Sequence, residues 1–499
     1  MRSLLVDLLI AALFAALAGC GPSPAHTSPT PALRVLAATP IPVPSPTSGE
    51  PLPPTTPRAD RFPACVITEQ APAGTLRLVW IEAGDLWVWD REQAEPYSLT
   101  DSADLTSVRL TPDTESVVFA RQTVTGPELW AVDILGTDPR RLAGGPELTG
   151  LIELHSFSPD AELLAFTHRL PAQGGELWAA AMDGSGGRRL VSHPDLMALV
   201  SEPLADFAVP SGVTWIPGTH TLTFDAAPGF EEDGIYIYVQ RQVQLVDADS
   251  GTREILFGPD EGGQVQYSPD GATMAVNTPE SLRFMDLGDR SVREAGVEFF
   301  ATGFGEYYVY PPMVWTPDSQ ALLLAQPVHD SDAFNTDVSV VIWRVPRDGT
   351  PAMELAEFSG FVLSFTISPD QAKLAYWRPV APQSNTRELH IAALDGSTHI
   401  IYETGNTLEF RGWAPDSQGF VYSAGGFPGD TRVANICGEP VTLGLDYYPV
   451  GLSWLDPNRI LFERELPATF ELYLVTVGSL ELVLNLESFG GYAFAVVAP

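Results

Sequence analysis

From about residue 76 onward the chain is written in short apolar runs, each too brief for a helix and each closed by a turn signal. One unit shows the grammar. It reads Ser156-Phe157-Ser158-Pro159-Asp160, then Leu163-Leu164-Ala165-Phe166-Thr167, then Glu176-Leu177-Trp178-Ala179-Ala180-Ala181-Met182-Asp183-Gly184, then Arg188-Arg189-Leu190. These four runs predict strands a, b, c and d, with Pro-Asp turning a into b and Asp-Gly turning c into d.

The same punctuation returns along the chain. The a–b anchor appears as Thr111-Pro112-Asp113, Ser158-Pro159-Asp160, Ile216-Pro217-Gly218, Ser268-Pro269-Asp270-Gly271, Thr316-Pro317-Asp318, Ser368-Pro369-Asp370, Ala414-Pro415-Asp416 and Asp456-Pro457-Asn458. The c-strand motif returns as Asp85-Leu86-Trp87, Glu128-Leu129-Trp130, Glu176-Leu177-Trp178, Glu388-Leu389-His390 and Glu471-Leu472-Tyr473. A period of about 40 to 58 residues marks a repeat architecture, so the length of the chain does not imply several domains. With these motifs the chain resembles the TolB-like family of WD-repeat-like propellers, and the resemblance covers residues 76–499. It implies an all-β fold and says little about function, since such propellers serve as binding platforms, enzyme scaffolds and envelope-complex partners.

The physics of the repeat agrees. A four-stranded sheet with two apolar faces is not stable alone, and radial stacking covers both faces and leaves only short outer edges. The first unit supplies b (Leu78-Val79-Trp80-Ile81), c (Leu86-Trp87-Val88-Trp89) and d (Tyr97-Ser98-Leu99) with no a run before them. The chain ends in Tyr492-Ala493-Phe494-Ala495-Val496-Val497-Ala498-Pro499, which matches an a-type run cut off at its anchor proline. The expectation is a single β-propeller of eight or nine four-stranded blades, closed by the last strand completing the first blade.

Alternating strand direction places all a–b and c–d turns on one face and all b–c and d–a loops on the other. The first set is short. The second holds the insertions: b–c loops at 226–234, 326–337, 378–387 and 424–431, and d–a loops at 193–212 and 296–312. Long loops on a rigid scaffold are where binding concentrates.

The amino-terminal region follows a different pattern. Met1 and Arg2 precede an apolar stretch from Leu4 to Ala18, interrupted by Asp7, and then Leu17-Ala18-Gly19-Cys20. This is the layout of a secretory signal, and it is shorter than a spanning helix needs. The Leu-Ala-Gly-Cys run resembles the lipobox of bacterial lipoproteins, which implies a signal peptide at 1–19 and lipid attachment, palmitate-type acyl chains included, at Cys20. Residues 20–62 are rich in Pro, Ser and Thr, as in Pro40-Ile41-Pro42-Val43-Pro44-Ser45-Pro46, and predict an extended spacer. The propeller domain then occupies 63–499. The expected setting is extracytoplasmic, at the bacterial membrane or envelope, with the short-turn face toward the membrane. Besides Cys20 the chain has Cys65 and Cys437, both predicted on the short-turn side, where an oxidising compartment would let them pair; two separate buried thiols are the alternative.

A formal net charge of −36 argues against nucleic acid as a partner. The chemistry-bearing candidates lie on the long-loop side. Phe299, Phe300, Phe304, Tyr307, Tyr308 and Tyr310 could stack on a sugar or anchor a protein, or fold inward as packing. Asp330, Asp332, Asn335 and Asp337 offer oxygens to a metal such as calcium, but without the glycine and terminal glutamate of an EF-hand, so a solvated acidic loop competes. Asp247-Ala248-Asp249-Ser250-Gly251 reads as hairpin-turn chemistry. His155, His168 and His390 read as strand residues, no Gly-x-Ser-x-Gly elbow is present, and no His-Glu-x-x-His spacing occurs. No cofactor and no catalytic set are expected. The leading expectation is a membrane-tethered binding or scaffold module for a protein, peptide or glycan. The alternative is a propeller glycosidase or lyase acting on extracellular polysaccharide with carboxylates at the channel mouth.

Overall fold

In the computed structural model each of the eight predicted anchors closes an a–b hairpin. The structure describes residues 74–90, 95–145, 148–171, 174–200, 205–229, 242–259, 261–278, 281–300, 302–304, 307–332, 338–381, 384–425, 430–438, 440–443, 451–466, 469–476, 479–486 and 489–497. The hydrogen bonding of the anchor explains its composition. Ser158 Oγ donates to Asp160 Oδ1 at 2.7 Å and accepts from the Leu163 N–H at 2.9 Å, while Asp160 Oδ1 also accepts from the Glu162 N–H at 3.1 Å. The hydroxyl-to-carboxylate bond recurs at Thr111–Asp113, Ser268–Asp270, Thr316–Asp318 and Ser368–Asp370, at 2.5–2.6 Å. These bonds hold the carboxylates in their charged form, and Asp160 is pulled down to about 2, first by Ser158. The next residue takes a left-handed conformation, which costs little at Gly271 (φ 66°) and is tolerated at Gln371 (φ 56°) because the turn bonds hold it.

The c-strand motif also has a mechanism. Residues i and i+2 of a strand share a face, so the glutamate meets the aromatic donor two positions on. Trp130 and Trp178 donate their indole N–H to Glu128 and Glu176 at 2.9 and 3.1 Å, and Tyr473 donates its hydroxyl to Glu471 at 2.9 Å. Arg189 and Arg464 ion-pair the same Glu176 and Glu471, at 3.0 and 3.1 Å.

Nine antiparallel four-stranded sheets result, each in the order d-c-b-a. Blades 2 to 9 begin with the a strands Leu105–Leu110, Leu151–Phe157, Phe207–Trp215, Gln264–Tyr267, Met313–Trp315, Thr366–Ile367, Glu409–Trp413 and Gly451–Asp456. Blade 1 is split: Thr75–Glu82, Asp85–Asp90 and Tyr97–Ser98 supply b, c and d, and Phe489–Val497 supplies a. The closing pair runs antiparallel from Thr75↔Val497 to Glu82↔Phe489. The ring is therefore a nine-bladed propeller, and the expected closure is what forms it.

Nine apolar clusters fill the nine junctions between blades. The b strands are buried on both faces, so Ala321–Pro327 is apolar almost throughout, while an outer strand such as Arg253–Phe257 is exposed for its first three residues. Indoles stitch neighbouring a strands: Trp215 donates to the Ser156 carbonyl at 2.9 Å, Trp315 to Gln266 at 3.3 Å and Trp413 to Thr366 at 3.0 Å. At the closing seam Arg459 ion-pairs Asp456 at 2.7 Å and donates to the Gly74 carbonyl at 2.8 Å. Arg77 holds Asp90 through two bonds of 2.6 and 2.7 Å and reaches the Thr114 carbonyl of blade 2 at 2.7 Å.

Two expected loops differ. The 193–212 connection contains a helix, His193–Leu199, capped by Ser192 and Asp195, and its end is absorbed into the a strand Phe207–Trp215. The following b strand, Thr221–Gly229, runs past the expected loop start at 226 because it pairs with that lengthened neighbour up to Phe207↔Gly229.

Ser368 is buried, and Thr111 and Thr316 fill the same role in other blades. Ser368→Ala should therefore lower stability by about 1–3 kcal/mol, and Ser368→Thr should cost less. Urea unfolding of both variants tests this, and equal midpoints for Ala and wild type would remove the anchor from the folding argument.

Candidate functional site

Two long insertions of the loop-rich face belong to one region. Blade 5 leads into blade 6 through the aromatic d–a loop, and strands b and c of blade 6 are joined by the acidic loop. Their backbones meet. Thr302–Phe304 and Tyr307–Val309 form a hairpin, and Ser331–Asp332 adds to it in parallel through Thr302↔Ser331 and Gly303↔Asp332. This three-stranded sheet stands outside the blade pattern.

Gln326, near the end of the blade 6 b strand, fixes its base. The side chain is buried, its amide donates to the Glu298 carbonyl at 2.7 Å, and its oxygen accepts from the Phe300 N–H at 3.4 Å. Phe299 packs against the blade 5–6 core, among Phe284, Met313 and Trp315, which makes it a support of the loop. Phe300 is half-buried. Phe304, Tyr307 and Tyr308 sit on the hairpin strands. Tyr310 is half-buried, burial raises its phenol pKa, and its hydroxyl has no hydrogen-bond partner among the described residues. Asp330 is exposed and Asp332 lies on the third strand, whereas Asn335 and Asp337 lie outside the described residues. The backbone thus brings Phe304, Tyr307, Tyr308 and Asp332 into one small sheet.

Of the histidines singled out in the sequence, His155, His168 and His390 are on strands a, b and c. His168 is buried against Glu176, and His155 bonds to Thr167 at 2.7 Å. His390 is the centre of a stacked ladder in blade 7. Its ring lies 4.8 Å from both Tyr376 and His399, its Nδ1 is 2.7 Å from His399 Nε2, and its Nε2 is 3.2 Å from Glu388. Arg378 ion-pairs the same glutamate at 3.1 Å. One proton fits between the two imidazoles; a second would set two like charges side by side. Burial, then the His399 charge, pushes His390 down to about 4.

The opposite face carries chemistry that sequence spacing did not reveal. His220, in the a–b turn of blade 4, reaches Asp160 of the blade 3 turn at 2.7 Å and Asp249 of its own blade at 3.0 Å. Glu162 stands beside them. Beyond this cluster a cleft of about 720 Å³ opens between the turns of blades 4 and 5, lined by Thr219, Asp247, Thr252, Glu254, Asp286 and Arg290. Among the described residues the apolar junction beneath holds five buried residues, fewer than any other junction. Cys437, beyond the blade 8 c strand on this same face, is disulfide-bonded. Cys20, Cys65 and the 1–19 and 20–62 segments lie outside the described residues.

No protein-family model and no curated protein matches the chain. Among solved structures it is similar to dipeptidyl peptidase 4 of Porphyromonas gingivalis, at 10% identity over 77% of this chain and 59% of that one, TM-score 0.49. It is also similar to an oligogalacturonate lyase in complex with manganese, at 13% identity over 81% and 98%, TM-score 0.36. A putative TolB from Agrobacterium tumefaciens is 16% identical over 58% and 91%, TM-score 0.27. What this protein has in common with these neighbours is a β-propeller fold.

The ladder in blade 7 gives a pH prediction. His390 stays neutral in the folded protein down to about 4, whereas the unfolded chain takes its proton near 6.5. The unfolded state therefore binds more protons between these values, and stability falls as pH drops through that window. His390→Gln should remove on the order of 3 kcal/mol of that fall. Denaturation midpoints at several pH values check it; an unchanged slope would mean the ladder does not carry the pH dependence.

Proposed function

We propose that the protein is a membrane-tethered, extracytoplasmic propeller of the TolB-like kind that binds a protein, peptide or glycan ligand through its long-loop face. The observation that carries this reading is the accessory sheet, which unites the aromatic hairpin and the acidic loop on the side where the insertions gather. Binding loops that are hydrogen-bonded to each other are pre-organised, and less ordering entropy opposes complex formation. A binding region built from aromatic and acidic residue types suits a sugar face with its hydroxyls, or a peptide with basic and apolar residues.

The tether completes the reading. The first blade strand begins at Thr75, opposite Val497, on the short-turn side. A lipid-bearing Cys20 and the spacer 20–62 then leave the accessory sheet facing outward. Two acyl chains on one cysteine give stable anchoring where one is marginal. The chain has three cysteines and Cys437 is disulfide-bonded; with Cys20 acylated, Cys65 is the partner we assign to it.

Two experiments test this. Peptide and glycan arrays probed with the protein should return ligands that are lost when residues 302–309 are replaced by a Gly-Ser link, with the circular dichroism spectrum unchanged; undiminished binding would refute the placement. Peptide mapping of the non-reduced protein should yield an acylated Cys20 and a Cys65–Cys437 pair. Unmodified Cys20 would remove the anchor, and free Cys65 would remove the assigned pair.

A further inference from the structure

We infer that Asp160, Glu162 and His220 form a divalent-cation site of the zinc class on the short-turn face, bridging blades 3 and 4. The inference rests on the fold and the site geometry and is independent of the ligand proposed above.

One ligand atom from each of the three residues lies within 4.8 Å of the other two. Donors around a tetrahedral zinc at 2.0–2.1 Å stand about 3.3 Å apart, so closing on an ion takes roughly an ångström of movement. Asp160 and Glu162 are exposed and have room to move. Asp160 keeps Oδ1 on Ser158 and the Glu162 N–H, and turns Oδ2 toward His220 Nε2. The oxygen offered to a cation is therefore not the one that holds the turn.

The imidazole is held in one orientation. Asp249 receives His220 Nδ1 at 3.0 and 3.1 Å. Metal-binding histidines characteristically give their second ring nitrogen to a carboxylate, which fixes the tautomer and leaves the other nitrogen for the metal. With Nδ1–H held by Asp249, the Nε2 lone pair faces Asp160. Without an ion, a proton on Nε2 occupies that place.

Other blades of the repeat place a different partner at the turn aspartate. In blade 5 the outer oxygen of Asp270 meets Arg347 of the next blade at 2.7 Å, and in blade 7 that of Asp370 meets Lys373 at 2.6 Å. Both partners are basic side chains. At Asp160 the next blade supplies only an imidazole, and two more carboxylates, Glu162 and Asp249, are added. Arg188 lies nearby, but its guanidinium is engaged with the backbone carbonyls of Asp249 and Ser250. Three carboxylates around one imidazole leave a negative excess that a divalent ion would neutralise. One nitrogen and two oxygens, with water completing the shell, favour a zinc-class ion over calcium.

The experiment is zinc titration of the untagged, metal-stripped full chain at pH 7, by calorimetry and thermal melting, with cobalt(II) absorption as a second readout. One ion per chain and a raised melting temperature are expected. Glu162→Gln and His220→Gln should each weaken binding by more than tenfold, and Asp249→Asn by about tenfold. Glu162 is exposed, so its variant keeps the test independent of folding. Absence of zinc binding up to ~1 mM (a Kd above ~1 mM, weaker than ~4 kcal/mol) would overturn the inference, as would binding equally tight in the Glu162→Gln and His220→Gln variants.

Discussion

Everything in this molecule depends on covering two apolar faces of every blade at once. A b strand such as Thr273–Asn277 is buried along its whole length, so each sheet needs a neighbour on both sides. A linear stack would leave two faces bare. Closure removes them, and it is achieved by hydrogen bonds between Thr75–Glu82 and Phe489–Val497, strands from opposite ends of the chain. The hydrophobic effect sets the requirement, and backbone pairing at one seam satisfies it for all nine blades.

The repeat was legible because its signals are local. A Ser/Thr-Pro-Asp turn carries its own hydrogen bonds within five residues, and a Glu-Leu-Trp strand satisfies its carboxylate two positions away. Such features can be read from a line of text. The split first blade could also be read, since a missing a run at one end and a surplus one at the other are both visible. The number of blades was left between eight and nine, because deciding it requires knowing that every unit joins one ring. The lengthened strand Phe207–Trp215 was read partly as loop, since Pro210 and Gly212 look like breakers until a partner strand is supplied.

The candidate sites were legible in part. The aromatic run and the acidic loop stood out as compositions, but nothing in their spacing said that Thr302 would pair with Ser331. That contact joins separate connections of the ring. The cluster around His220 was missed for a stronger version of the same reason. Asp160 and His220 are 60 positions apart, and each looks ordinary in its own turn. A propeller sets equivalent turns of neighbouring blades side by side, so chemistry between blades is periodic in space and invisible to short motifs. Comparing what each blade places against its turn aspartate would have flagged it.

The split blade also governs how the ring bears load. A pull arriving through the residues before Thr75 runs along the strand axis, because Thr75 is the first residue of an antiparallel pair reaching to Glu82. Loaded this way the rungs are sheared together, whereas a pull across the sheet would peel them one after another. Arg459 grips the Gly74 carbonyl at the point where force enters, and Arg77 carries it sideways into blade 2. The strand pair that closes the circle is thereby also its strain-bearing member, and the seam between the two ends of the chain is tied by side chains as well as by its backbone ladder.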